Sequence, residues 1–166
     1  IIRDHHFGEG RYEDSERSIQ RLLGVAREPV AVEGVGVEAE ADWDHLRTPE
    51  TYLGYARTGR RSPPEMPERL RLNDWALAGK WTVERESVLL AQAGGSIAVR
   101  FHARDAHLVL SSGVPGSIPF RVHLDGEAPG ASHGVDVDED GNGSLGEGRL
   151  YQLVRQHDAV RERTLE

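Results

Sequence analysis

The stretch SIAVRFHARDAHLVLSS, residues 96–112, decides the fold class. Apolar side chains occupy alternate positions in each half of it: Ile97, Val99, Phe101, Leu108 and Leu110. Successive side chains of a strand point to opposite faces of a sheet, so this period of two predicts two strands that each bury one face. The stretch therefore predicts β-structure and not helix.

Two further runs between Trp75 and the end of the chain show the same alternation, KWTVER at 80–85 and PFRVHLD at 119–125, and RLYQLVRQ at 149–156 is expected to be a further strand. Glycine and proline separate most of the runs, in AGG at 93–95, SGVPGS at 112–117 and DGEAPG at 125–130. Short strands without intervening helices are typical of an antiparallel β-sandwich or jelly roll. The expected core is Trp81, Val99, Phe101, Leu110, Val122 and Leu124.

The N-terminal region predicts a short β-α unit. Residues 1–7 are β-prone, and residues 12–26, YEDSERSIQRLLGVA, are helical in pattern. Apolar residues spaced by three and four positions form one helix face: Ile19, Leu22, Leu23 and Ala26. Gly24 marks the expected helix end. A unit this small cannot fold alone, so it is either the last piece of a larger α/β domain or an appendage on the strands that follow.

A connector is expected over residues 27–73, which hold five of the eight prolines. Within it, TPETYLGYAR at 48–57 is too apolar for a pure linker. We expect it to anchor on a neighbouring surface, with core packing favoured over ligand contact.

Composition excludes several classes of function. The chain of 166 residues has a net charge of -8 and a single lysine, Lys80, which argues against binding to a nucleic-acid backbone. It has no cysteine, so it offers neither a disulfide nor a thiolate nucleophile. Its apolar runs are far shorter than the ~20 residues that cross a bilayer, and its start lacks a signal-peptide pattern. We expect the chain as given to be soluble.

A candidate calcium loop lies at residues 136–147, DVDEDGNGSLGE. The pattern D-x-[DN]-x-[DN]-G-x5-E is matched by Asp136, Asp138, Asp140, Gly141 and Glu147, and the carbonyl of Asn142 is a further candidate ligand. The glycine-rich sequence before the loop cannot form the helix that normally flanks such a site. A metal-free acidic turn between strands is the favoured alternative.

Several long motifs resemble the C-terminal region of bacterial DipZ-type thiol-disulfide interchange proteins. They are HHFGEGRYEDSERSIQRLL at 5–23, TPETYLGYARTGR at 48–60, LNDWALAGKWTVERE at 72–86, VRFHARDAHLVLSS at 99–112, RVHLDGEAPGASHGVDVDEDGNG at 121–143 and RLYQLVRQ. The resemblance implies a CcdA-like membrane domain, then an extracytoplasmic thioredoxin-like (TlpA-like, redoxin) domain, then a galactose-binding-like jelly roll similar to carbohydrate-binding modules.

On this resemblance, residues 1–26 are the terminal strand and helix of the thioredoxin-like domain, 27–73 the connector and 74–166 the β-sandwich binding module. The parent would be membrane-tethered, with this region in the periplasm or at the cell surface. The family's Cys-x-x-Cys is absent from this chain, so no catalytic residue carries over. Related proteins continue for a further strand after RTLE, so the sandwich is expected to lack an edge element.

Jelly rolls of this type imply sugar binding through aromatic faces and polar side chains. The candidate ligand-binding residues are Trp75, Trp81, His102, Arg104 and His133. Core packing is the favoured alternative for both tryptophans, and ion pairing with Asp105 is an equal alternative for Arg104.

Three functions follow. The first is a non-catalytic module of a cytochrome c biogenesis-type oxidoreductase that binds a glycan or an extracytoplasmic protein. The second is a structural, calcium-stabilised module that positions the thioredoxin-like domain. The third and least favoured is a glycoside hydrolase with paired carboxylates.

Overall fold

A computed structural model describes residues 12–29, 41–59 and 65–166. This part of the chain contains the helices α1 (Tyr12–Leu23) and α2 (Tyr55–Thr58) and nine strands. The strands are β1 (Trp75–Ala78), β2 (Trp81–Val83), β3 (Val88–Leu90), β4 (Ser96–His102), β5 (Asp105–Leu110), β6 (Ile118–Arg121), β7 (Asn142–Leu145), β8 (Arg149–Arg155) and β9 (Glu162–Leu165). None of the helices in these ranges is long and apolar enough to span a membrane.

Every strand pairing is antiparallel. One sheet has the order β1-β4-β9, and three two-stranded ladders join β2 to β3, β5 to β8, and β6 to β7. The prediction of a mainly β, antiparallel fold is confirmed. A closed sandwich or jelly roll stays a prediction.

The main core forms where Phe101 of β4 and the buried residues of β8 meet the extended segment after β6. Its buried members are Phe101, Ala103, Val122, Leu124, Val137, Tyr151, Leu153, Val154 and Leu165. Phe120 packs edge-on against Tyr151, with ring centroids 6.1 Å apart. Each large apolar side chain buried here contributes about 1.5–3 kcal/mol.

The expected core is partly confirmed. Phe101, Val122 and Leu124 are buried, and Val99 and Leu110 pack against them. This expectation was wrong for Trp81, which is half-buried and lies outside the main core and outside a smaller cluster of Leu70, Ala76 and Ala98. The reason is its strand: β2 pairs only with β3 among the described strands.

Strand β8 departs from simple alternation, because four consecutive residues, 151–154, are buried. On one side β8 pairs with β5. On the other, the N–H of Gly134 donates to the Leu153 carbonyl at 2.9 Å and that of Asp136 to the Gln152 carbonyl at 3.2 Å. Backbone groups on both edges of β8 are therefore hydrogen-bonded to neighbouring segments.

Four strands were not expected from the sequence: β1, β3, β7 and β9. The polar β9 forms the third strand of the main sheet by pairing with β4. RTLE, after which an edge element was expected to be missing, itself belongs to this sheet, and residues 123–125 hydrogen-bond to its other side. Conversely, β6 ends at Arg121, earlier than the PFRVHLD pattern indicated.

Helix α1 confirms the helical part of the N-terminal prediction and ends before Gly24, whose φ of 66° stops the helix. Its apolar face is exposed, at 52% for Ile19, 65% for Leu22 and 71% for Leu23. The expected strand at residues 1–7 lies outside the described residues.

Candidate functional site

The candidate calcium loop folds as a tight turn centred on Asp138. The Asp138 carbonyl accepts the N–H of Gly141 at 2.9 Å, and the Asp138 N–H donates to the Asn142 carbonyl at 3.0 Å. The Asp138 carboxylate accepts the backbone N–H of Asn142 at 2.7 Å and its side-chain amide at 3.0 Å. These hydrogen bonds lower the pKa of Asp138. Its carboxylate is thus engaged by the turn itself.

Asp136 points away from this turn and forms an ion pair with Arg149. The Arg149 guanidinium donates to its carboxylate at 2.6 and 3.1 Å, and the N–H of Gln152 donates at 2.8 Å. Arg149 also lies over the ring of Tyr151, 3.9 Å from its centroid. Burial alone would raise the pKa of Asp136, but the hydrogen bonds from Arg149 and Gln152 outweigh it and hold the pKa below its usual value.

The structure also shows the surroundings of the other predicted calcium ligands. The Asn142 side-chain oxygen accepts from Arg121 at 2.9 Å, and the Glu147 carbonyl accepts from the Tyr151 hydroxyl at 2.8 Å. Asp140 is exposed. Within the described ranges, no three His, Cys, Asp or Glu side chains are grouped so that they could hold a metal ion. Calcium binding stays a prediction, and it would require Asp136 to leave Arg149.

A shallow polar cleft of about 380 Å³ lies beside the turn. It is lined by Arg121, His123, Gly126, Glu127, Ala128, Asp140 and Asn142. Arg121 is oriented by its hydrogen bonds to Asn142. Within the described part of the chain, the side chains of His123, Glu127 and Asp140 make neither hydrogen bonds nor ion pairs, which leaves them available to a ligand.

The cleft was not predicted from the sequence, although one signal was present. In PFRVHLD the polar residues Arg121 and His123 alternate with the core residues Val122 and Leu124. They therefore share the face turned away from the core. Glu127 and Asp140 reach the same cleft only through the later turns, which no local pattern announces.

The two candidate tryptophans do not form a shared sugar platform. Trp75 is only 8% exposed and belongs to the core, opposite Val99 in the ladder. Trp81 is half-buried, and its indole N–H donates to the Ala78 carbonyl at 2.8 Å. Its ring lies against Gly95, where an added Cβ would meet Nε1 at 2.9 Å.

The three polar candidates lie in different local settings, and none of them lines the cleft. The N–H of His102 donates to the Thr48 hydroxyl at 2.8 Å, at the end of β4. Arg104 binds Asp105 at 2.7 Å, and Asp105 also accepts from Arg155 at 2.6 Å. These contacts match the ion-pairing alternative for Arg104.

His133 lies next to β8, bridged to Val154, and its Nδ1 is 2.8 Å from the Val137 carbonyl. His133 therefore connects β8 to Val137, near the start of the acidic segment. We assign it a positioning role for Val137, four residues further along the chain.

These features define a cysteine-free, antiparallel β module with a polar surface cleft and a rigid acidic turn. The chain belongs to the thioredoxin-like C-terminal domain family, whose model matches residues 48–166. It is also similar to the proteins DipZ of Mycobacterium bovis and Mycobacterium tuberculosis, each 25% identical over 140 residues.

Those alignments cover 72% of this chain and 20% of each relative, so the chain spans about a fifth of the length of the curated proteins it matches. No solved structure matches the chain. The family match and the relatives confirm the resemblance to the DipZ-type region.

Proposed function

We propose that this chain is a non-catalytic, extracytoplasmic binding region of a membrane-anchored thiol-disulfide oxidoreductase of the DipZ type. The family match and the similarity to DipZ support the association with thiol-disulfide chemistry. The chemistry itself belongs elsewhere in such a protein, because thiol exchange requires a thiolate and this chain has no cysteine.

The polar cleft carries the binding role. Its lining combines a guanidinium donor, two carboxylate acceptors, an amide and an imidazole. Neutral sugars present hydroxyl groups that both donate and accept hydrogen bonds, so a mixed lining of this kind suits a carbohydrate.

Glu127, Asp140 and Arg121 are the residues that we assign to this role. Glu127 and Asp140 would accept hydrogen bonds from sugar hydroxyls, and Arg121 would donate. The assignment replaces the tryptophans as the main contacts, since Trp75 is buried and Trp81 is packed on Gly95.

A glycan array probed with the full chain tests the proposal, with Glu127→Gln and Asp140→Asn as variants. Glu139→Gln is the matched control, because Glu139 lies in the same exposed turn but does not line the cleft. Binding that both cleft variants lose and the control retains supports the proposal. Failure of the unaltered chain to retain any glycan, or equal loss in all three variants, overturns it.

A structural module is the second candidate function. The observation that favours it is a set of ion pairs within the chain. Asp136, Asp105 and Asp125 each bind an arginine. A chain that binds no glycan but stabilises an attached thioredoxin-like domain in a thermal melt would fit this function.

A further inference from the structure

The apolar part of the predicted connector, which was expected to anchor on a neighbouring surface, is hydrogen-bonded to two separate parts of the β module. We call residues 47–59 the clamp segment. It lies inside the predicted connector and contains α2. The family match begins within it, at residue 48.

The first anchor of the clamp segment is at the end of β4. The N–H of Arg47 donates to the His102 carbonyl at 3.0 Å. The N–H of His102 donates to the Thr48 hydroxyl at 2.8 Å. Both main-chain groups of one strand residue are thereby satisfied by adjacent clamp residues.

The second anchor is at the turn between β2 and β3. The N–H of Tyr55 donates to the Glu84 carbonyl at 2.9 Å and the N–H of Ala56 to the Arg85 carbonyl at 2.8 Å. Gly54 makes this approach possible, because a Cβ there would lie 2.4 Å from the Glu86 carbonyl carbon. The two backbones are therefore in direct contact.

Contacts within the clamp segment hold its second half, residues 52–59. Gly59 closes α2 with a φ of 70°, and its N–H donates to the Tyr55 carbonyl. The Arg57 guanidinium lies 3.8 Å from the centroid of the Tyr52 ring. The Thr58 hydroxyl donates to the Gly54 carbonyl at 3.2 Å. A segment with these contacts can transmit a positional constraint.

The β2–β3 hairpin needs such a constraint. Its strands pair only with each other among the described strands, and a two-stranded hairpin is marginal by itself in water. Its far end is held near Gly95 by Trp81 and Leu90. Its turn end is held by the clamp segment. Leu89 stays 54% exposed, so burial contributes little at that position.

We infer that residues 47–59 are a built-in clamp that fixes the β2–β3 hairpin to the end of β4, so that releasing either anchor frees the hairpin while the main core stays folded. This inference is independent of glycan binding. It places the N-terminal border of the module near Arg47, whereas the sequence pattern set it at residue 74.

Hydrogen exchange by mass spectrometry on the full chain tests the clamp. Gly54→Ala forces Glu86 away from the clamp segment, and amides between Lys80 and Ala91 should exchange about tenfold faster, while amides of β8 keep their rates. Gly113→Ala is the matched control, because nothing lies within 4 Å of a Cβ there and its φ is not positive.

The first anchor, at the end of β4, is tested with two variants. Thr48→Val keeps the side-chain shape but removes the acceptor of the His102 N–H, and Thr48→Ser keeps the hydroxyl. Faster hairpin exchange in the valine variant and not in the serine variant supports the clamp. Unchanged hairpin exchange in both Gly54→Ala and Thr48→Val overturns it, as does equal acceleration in β8. If Gly54→Ala does not fold, the Thr48 pair decides.

Discussion

Asp136 and Arg149 form a two-point ion pair that joins the start of the acidic segment to β8, at 2.6 and 3.1 Å. The Asp136 side chain is only 4% exposed, whereas that of Arg149 is 30% exposed. The carboxylate that the sequence offers as the first calcium ligand is thus buried and paired with a partly exposed arginine. This pairing favours a structural role for the loop.

Replacing Asp136 by alanine should lower the free energy of unfolding by about 3 kcal/mol, because breaking a buried pair leaves Arg149 and the Gln152 N–H without their acceptor. Urea denaturation measures the change. Glu139→Ala is the control, since Glu139 is exposed in the same turn, and it should change the free energy by less than about 0.5 kcal/mol. Equal effects of the two substitutions would contradict the assignment.

The same ion pair predicts an acid dependence of stability. The pKa of Asp136 in the folded chain is lowered from the unfolded value, which is about 3.9. Its contribution is therefore fully present above about pH 4 and is lost as pH falls through the folded pKa. Asp136→Asn should be less stable at pH 6 and should lose less stability between pH 5 and pH 2 than the unaltered chain. Parallel stability curves for the two proteins would refute this.

Gly141 should tolerate no side chain. Its φ is 84°, and a Cβ would lie 2.1 Å from the Val122 carbonyl oxygen. That oxygen cannot move away easily, because Val122 is in the core. Gly141→Ala should destabilise the chain by about 2–4 kcal/mol. Gly146→Ala, where nothing lies within 4 Å, is the matched control in the same thermal melt. A melting temperature unchanged by Gly141→Ala would show that the turn relaxes freely.

Calcium should leave the thermal midpoint of the chain unmoved, since the ion would have to displace Arg149 from Asp136 and Asn142 from Asp138. The measurement is a melt in millimolar calcium against chelator. A true site would add about 2.7 kcal/mol at a calcium concentration one hundred times the dissociation constant. A rise in the midpoint that Asp138→Ala abolishes would restore the calcium loop.

The isolated chain should not reduce insulin disulfides faster than buffer containing dithiothreitol alone, because it has no thiol to attack a disulfide. A turbidity assay measures the rate. Any acceleration that survives repurification would point to chemistry outside thiol exchange and would contradict the non-catalytic assignment.

Several elements were predictable because their signal is local. Helix α1 follows from apolar spacing and from Gly24, and β4 and β5 follow from the alternation of apolar residues in their sequences. Strand β9 was not predictable, because ERTL is mostly polar and becomes a strand only through its ladder with β4. Trp81 was assigned to the core from its alternation with Val83, but alternation does not show which sheet a strand joins.

The residues of the candidate calcium loop could be predicted from the sequence, but their partners could not. The acidic residues and Gly141 are visible in the sequence, and Gly141 does adopt the positive φ that its position suggested. The partner of each carboxylate is not visible. Asp136 and Arg149 are thirteen positions apart, and Arg121 and Asn142 are twenty-one apart, so only chain folding brings them within hydrogen-bond distance.

By itself, the sequence determined that this chain is β-rich, carries a short amphipathic helix and offers no cysteine thiol, because strand and helix periodicity and residue composition are properties of the chain alone. The tertiary structure decided that β8 is buried on both sides and that Asp136 forms its ion pair with Arg149. It also decided that four side chains share one cleft, those of Arg121, His123, Glu127 and Asp140. Residues 47–59 bind the module through hydrogen bonds that only the folded chain makes. These outcomes depend on contacts between distant segments, whose formation is set by the packing of the whole core and by no local pattern.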